Sequence, residues 1–424
     1  MVTSRRGQNQ AQLRESNLST VLRYVYDNPA LSRSQLATRT KLNKSTVSSL
    51  IAELLELRLI KEAGFAQTGG GRPARLLKPN PEAGDIIGIE LDADHIRAVL
   101  ADFTGRVHWQ QREAVARGAG RQLVLTKLQE IIDVALTAGR ARGLRLLGVG
   151  LTLPGMVDVE GGVLLYSPNL QLRNLVLGPA LAEQTQLPTF VENDANAAAV
   201  GERLFGSCRL VSDFIFIVTG VGVGGGLFLN GRLYRGAGLA GEIGHMRLGG
   251  GANHPCRCGS RGCWENSANE DALKARVQAL LTVGRKSQLA RLPGQRPAPL
   301  TPALIVQAAA AQDAVALAAL GETGAAIGAG VANLVNIFDP ECVIIGGGLS
   351  EAGEQLLPVV RQAVETQALP ELRRHVQVRL SVFGADAIVM GAVALVVAEI
   401  LDRPTRVRAI PLQQQPTRGG APLR

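Results

Sequence analysis

The sequence predicts a basic winged helix-turn-helix module followed by an α/β body of two lobes, and three observations predict it. The 424 residues carry 45 Lys+Arg against 36 Asp+Glu, but residues 1–80 hold 13 of the basic and only 5 of the acidic residues. Beyond Pro81 the texture changes to apolar strands alternating with helices, the order expected of mixed sheets covered by helices. Between Gly238 and Glu265 the chain crowds three of its five cysteines, two histidines and two carboxylates into one glycine-rich stretch. A hydrophobic content of 46% excludes wholesale disorder.

The first residues predict three helices and a wing. Leu18, Val21, Leu22 and Val25 share one face of a helix over Leu13–Tyr26, which Pro29 ends. Ser32-Arg33-Ser34-Gln35 is a capping box opening a second helix with Leu36 and Ala37 inward. Asn43 caps a third over Lys44–Leu55, whose Val47, Leu50, Ile51, Leu54 and Leu55 face inward. Its early outward residues, Lys44, Ser45, Thr46, Ser48 and Ser49, suit base edges and phosphates in a major groove. Leu59–Glu62 and Arg72–Leu77 read as wing strands, with Arg72 at a glycine-rich tip suited to a minor groove. Lys78-Pro79-Asn80-Pro81 reads as a linker.

The body begins with three expected strands, Asp85–Leu91, Ile96–Asp102 and Val107–Val115, then an amphipathic helix over Arg121–Arg142 and a buried strand at Leu146–Leu151. A second set follows, with strands near Phe214–Val218, Leu227–Leu229 and Cys342–Ile345 and helices near Ala303–Gln312 and Ala314–Phe338. Ligands in such sheets bind outside the carboxyl ends of the strands, where the glycines fall. The expected units are 1–80 for the DNA-binding module, 85–190 completed by 387–402 for a small lobe, 191–386 for a large lobe, and 403–424 for a disordered tail. Gly284–Pro302 reads as a surface loop.

Cys256, Cys258 and Cys263 with one imidazole form a donor set that suits tetrahedral zinc, and Gly259 and Gly262 supply turns to aim the sulfurs. Spacing alone leaves the fourth ligand open between His245 and His254. The N-terminal residues show no apolar signal region and no apolar run approaches a membrane span, the best being Ala392–Leu401, so a reduced cytoplasmic setting is expected and zinc is favoured over disulfides. Cys208 and Cys342, in apolar surroundings, read as buried thiols.

Three motifs together resemble the ROK family of sugar kinases and sugar-responsive repressors: G-L-A-G-E-I-G-H-M from Gly238, C-R-C-G-S-R-G-C-W-E from Cys256, and V-E-N-D-A-N-A-A-A over Val191–Ala199. The resemblance covers about Asp85–Asp402 and implies the two-lobed actin-like, hexokinase-type fold. It implies His245, Cys256, Cys258 and Cys263 as structural zinc ligands. It also implies Asn193, Asp194, Glu242, His245 and Glu265 as contacts to sugar hydroxyls, Asp194 being the equivalent of the kinase base.

Kinases of the family carry an Asp-x-Gly-Gly-Thr phosphate loop, where this chain reads Glu90-Leu91-Asp92-Ala93-Asp94-His95. Its second loop, Gly220–Gly226, has Val221 where kinases place a threonine. These departures look most like the xylose-repressor branch, so the expectation is a sugar-responsive repressor without catalytic residues, acting on operator DNA as a dimer or tetramer. The alternatives are an ATP-dependent sugar kinase carrying a DNA-binding module, and a repressor controlled by a protein partner.

Overall fold

The computed structural model describes residues 2–65, 74–248, 254–290 and 300–410. Arg72, the expected wing tip, lies outside the described residues.

The module comprises α1 (Val2–Asp27), β1 (Leu31–Ser32), α2 (Arg33–Thr40), α3 (Lys44–Glu56), β2 (Ile60–Phe65) and β3 (Arg75–Pro79). Both expected caps form. The Ser32 side chain accepts from Gln35 N while Gln35 Oε1 accepts from Ser32 N at 2.8 Å, and Asn43 Oδ1 accepts from Thr46 N at 2.7 Å. The helices bury Leu18, Leu22, Leu36, Leu50, Ile51 and Leu54. β1, β3 and β2 form a small antiparallel sheet in that order.

In the body, β4 (Asp85–Leu91), β5 (His95–Asp102), β6 (Val107–Ala114), α4 (Arg121–Ala141) and β7 (Leu146–Leu153) follow the expected positions. A hairpin sheet of β8 (Met156–Asp158), β9 (Val163–Ser167) and β10 (Leu172–Val176), then α5 (Gly178–Thr185), leads to β11 (Thr189–Asn193). The first large sheet has the order β11-β7-β4-β5-β6, with β11, β7 and β4 parallel and β5 and β6 antiparallel. β11 stays paired through Asn193, past the expected lobe boundary at 190.

Next come α6 (Asp194–Leu204), β12 (Phe214–Thr219), β13 (Val223–Leu229), β14 (Arg232–Leu233), α7 (Glu265–Ala268), α8 (Glu270–Thr282), α9 (Pro302–Ala310) and α10 (Ala314–Phe338). The last are β15 (Cys342–Gly346), α11 (Gly353–Gln367), α12 (Pro370–Arg373), β16 (Gln377–Leu380) and α13 (Ala387–Asp402). The second large sheet runs β14-β13-β12-β15-β16. α6 and α13 cross between the sheets at small residues: a Cβ on Gly391 would lie 2.3 Å from the backbone carbon of Ala197.

Three expectations are corrected. Residues 78–81 are no free linker: β3 runs through Pro79, and buried Asn80 donates from Nδ2 to Arg58 O at 2.8 Å. The first part of the expected disordered tail folds as a 3-10 helix over Pro404–Ala409 that buries Val407 and is capped by buried Ile410, a local stretch too short and basic to reveal its apolar seat in advance. Two helices, Ala314–Phe338 and Gly384–Asp402, are long and apolar enough to cross a membrane by length and composition; 56% and 67% of their most apolar windows are buried inside the fold. The second includes the run that looked too short, because its isolated Glu399 does not interrupt the helix.

The module and body share one buried apolar cluster, from Leu18 and Leu54 through Phe103 to Val397 and Val407. Polar stitches line the junction. Tyr26 donates to Phe103 O at 2.9 Å, and buried Arg145 donates to Leu57 O and Ala83 O, each at 2.6 Å, and to Val407 O at 3.4 Å. With carbonyls as its partners, burial pushes the Arg145 guanidinium down to about 10, with Arg58 adding to the effect.

Candidate functional site

A cavity of about 390 Å³ opens between the two large sheets, lined from one side by Glu90, His95 and Asp194 and from the other by Glu242, His245 and Glu265. All five residues expected to contact sugar line it. Asn193 is also the N-cap of α6: its Oδ1 accepts from Ala195 N at 3.0 Å and Asn196 N at 3.1 Å, while Nδ2 donates to Gly155 O. Asp194 therefore opens the helix with its carboxylate at the positive end of the helix dipole. β13 lies so close that a Cβ on Gly226 would sit 2.4 Å from Ala195 O, so this glycine of the second loop is required by packing against α6. Burial, reinforced by Asp92 and Glu242, pushes the Asp194 carboxyl up to about 8.

On the opposite wall Glu242 precedes a 3-10 turn, Ile243–His245, that presents His245. His245 Nδ1 lies 3.8 Å from Cys256 Sγ and 3.6 Å from Glu265 Oε1; its Nε2 lies 3.7 Å from Glu242 Oε2. Cys258 and Cys263 sulfurs are 3.8 Å apart, and one donor atom from each of His245, Cys256, Cys258 and Cys263 falls within 4.8 Å of all the others. That set could hold a metal ion. His254 stays outside it, exposed, with its carbonyl accepting from Gly262 N and Asn266 Nδ2. Trp264, fully buried and donating from Nε1 to Ala326 O at 2.8 Å, anchors the turn that carries Glu265. Cys208 and Cys342 are buried elsewhere, as expected.

The turn from β4 to β5 is occupied by charge. Asp94 Oδ1 lies 2.7 Å from His95 Nδ1, and Arg117 joins Asp94 at 3.4 Å to Asp271 at 3.4 Å and Glu270 at 3.8 Å on α8. Burial opposes a charged His95, but Asp94 and Glu90 outweigh it and raise the imidazole to about 9; burial and Glu90 push Asp92 up to about 6. Sequence reasoning missed Arg117, Glu270 and Asp271, because partners 154 residues apart leave no local pattern.

On the module, Lys44, Ser45, Ser48 and Ser49 are exposed along one side of α3 and Thr46 is half-buried. Ser45 donates to Asn43 Oδ1, and Arg14 reaches Ser49 at 3.4 Å. Arg33 and Arg75 both pair with Glu62, which ties the wing to α2.

A sequence profile of the ROK family matches residues 86–399, and one of the MarR family matches residues 19–67. A protein of Caldicellulosiruptor bescii named xylose repressor is 34% identical over 397 residues, covering 93% of this chain and 99% of that one. The crystal structure of a ROK family transcriptional regulator, a homolog of the E. coli MLC protein, superposes with a TM-score of 0.79 at 29% identity, covering 93% of this chain and 99% of that one. A ROK family glucokinase from Streptomyces griseus, solved with glucose and AMPPNP, superposes with a TM-score of 0.66 at 32% identity, covering 74% of this chain and 99% of the enzyme.

Proposed function

The chain belongs to the ROK family, and on that premise we propose that it is a DNA-binding transcriptional repressor whose hold on its operator is released by a sugar in the cleft. The observation that carries this reading is the union, in one continuous core, of a capped helix bearing exposed Lys44, Ser45, Ser48 and Ser49 with a cleft lined by Asp194, Glu242, His245 and Glu265. Likeness to a named repressor over nearly the whole chain, module included, supports it.

In this reading Asp194, Glu242 and Glu265 accept hydrogen bonds from sugar hydroxyls and Asn193 contributes its amide beside them. A site of buried polar groups rejects analogues that lack a hydroxyl, since its own groups would be left unpaired. We assign structural zinc to His245, Cys256, Cys258 and Cys263. Zinc–sulfur bonds of about 2.3 Å set the sulfurs of a tetrahedron about 3.8 Å apart, which matches the 3.8 Å between Cys258 and Cys263. When bound, the ion supplies no chemistry to a sugar; it fixes His245 and the turn carrying Glu265.

Phosphoryl transfer is disfavoured by what occupies the phosphate-loop position. Glu90, Asp92 and Asp94 line the cavity there, where a nucleotide would bring further negative charge. A sugar closing the cleft acts first on Asp194, the start of α6. α6 crosses α13, and the chain after α13 seats Val407 in the core shared with the module. The shift changes the spacing of the two modules in a dimer or tetramer and breaks their match to the half-sites. Arg72 and Lys44 contribute backbone or groove contacts in this scheme, so binding weakens steeply with salt.

The test is operator binding by the full chain to the intergenic DNA beside its own gene, with and without a panel of pentoses and hexoses, alongside an ADP-release assay. One sugar should lower DNA affinity with no turnover. Turnover abolished by Asp194→Asn would establish the kinase instead, and sugar-insensitive binding would point to a protein partner.

A further inference from the structure

Glu90, Asp92, Asp94 and His95 stand together where β4 turns into β5, on one wall of the cleft and apart from the thiolate set. Glu90 is 4% exposed, and its Oε2 has no hydrogen-bond partner among the described residues although the residue lines the cavity. Its Oε1 is 3.5 Å from His95 Nε2, long for a hydrogen bond to an imidazole. One donor atom from each of Glu90, Asp92 and His95 lies within 4.8 Å of the other two. A buried carboxylate with one oxygen unpartnered, set beside an imidazole and a second carboxylate, is a donor set for a cation.

The neighbouring residues strengthen the case. Asp94 Oδ1 holds His95 Nδ1 at 2.7 Å, which leaves Nε2 turned toward Glu90. Histidines that bind metals are oriented this way, with the distal ring nitrogen donated to a carboxylate. Of the nearby cations, Arg97 pairs with Asp386 and Arg117 with Asp94, Glu270 and Asp271, while Arg112 lines the same cavity from β6. Among the described residues, no Lys or Arg forms an ion pair with Glu90 or Asp92. A divalent cation, bound with release of the proton that Asp94 and Glu90 favour on His95, would cancel both carboxylates where burial makes their charge costly.

We propose that Glu90, Asp92 and His95 bind a divalent first-row metal ion in the cleft, with Asp94 as the residue positioning His95. Two carboxylate oxygens and one imidazole nitrogen suit manganese or ferrous iron more than the thiolate-preferring zinc of the other set. Three protein ligands leave coordination positions open to water or to a sugar oxygen. The inference stands apart from the repressor reading, since it needs neither DNA nor sugar to be tested.

The experiment titrates the zinc-loaded full chain with Mn²⁺ and follows free Mn²⁺ by its electron paramagnetic resonance signal. The parent should take up one equivalent; Asp92→Asn and His95→Gln should each weaken uptake more than about tenfold, and Asp94→Asn by about tenfold. Imidazole proton resonances give a readout that needs no variant. Of the five histidines, His95 should broaden first, ahead of His375, which faces Asp339 at the surface. The proposal is overturned by absence of uptake at roughly millimolar Mn²⁺, by uptake indifferent to all three substitutions, or by another histidine broadening first. In each of these cases a protonated His95 pairing with the carboxylates accounts for the cluster.

Discussion

The junction between module and body and the cleft between the two large sheets are built in opposite ways. The junction is apolar and continuous, with Leu54, Phe103, Val397 and Val407 in one cluster crossed by hydrogen bonds from Tyr26 and Arg145. The cleft is lined by acidic side chains, and Arg117 spans it through ion pairs of 3.4 to 3.8 Å whose partners are partly exposed. Close-packed interiors transmit displacement, while exposed ion pairs cost little to break. In the proposed mechanism the contrast divides the labour: the cleft moves, and the junction carries the movement to the DNA-binding surface.

Several substitutions can break or sharpen that contrast. Arg145→Ala, at the junction, removes the guanidinium donor from Leu57 O and Ala83 O and one of the two donors to Val407 O. Stability should fall by about 3 kcal/mol, measured by chemical denaturation, with loss of sugar control over DNA binding. If stability holds, the junction is not the rigid partner.

Asp194→Asn tests the cleft through pH. Burial raises the folded carboxyl from 3.8 to about 8, so the fold prefers it protonated. Its contribution is fully favourable below about pH 4 and is lost as pH rises toward about 8. In the sugar-free protein the variant should therefore gain Tm over the parent progressively across that window, and a pH-independent difference would remove the buried-acid account.

Tyr26→Phe leaves Phe103 O without its donor and should cost about 1 kcal/mol while keeping the edge-on contact between the rings. Smallest of all, Arg117→Ala should change stability by less than about 1 kcal/mol yet shift sugar affinity in a calorimetric titration, because it unties α8 from the β4–β5 turn. A large loss of Tm instead would make the cleft as rigid as the junction.

Sequence reading reached furthest where structure is decided locally. Ser32 and Asn43 announce their helices because a cap is satisfied within three residues, and β4, β5 and β6 follow apolar patterns that need no partner to be read. The cysteine set is legible for the same reason: Cys256, Cys258 and Cys263 lie in one turn. The hairpin of β8, β9 and β10 was missed because its short strands, such as Met156–Asp158, hold too few residues to show a period. Asn193 read as a polar contact but is first a helix cap, a role visible only once Asp194 is known to begin α6. The seat of Val407 and the grip of Arg145 depend on residues brought together across the whole chain, as in the bond from Arg145 to Val407 O across 262 positions.

That last arrangement has a bearing on biosynthesis. Thr405 N donates to Glu15 across 390 positions, and Arg408 reaches Glu53 on α3. The DNA-binding segment leaves the ribosome before the body, yet part of its docking surface is made by residues that follow the whole body in the chain. Until those residues arrive, α1 and α3 lack a covering they have in the finished fold. A nascent polypeptide that has not yet reached Thr405 therefore presents α1 and α3 without the contacts that Glu15 and Glu53 make in the finished fold.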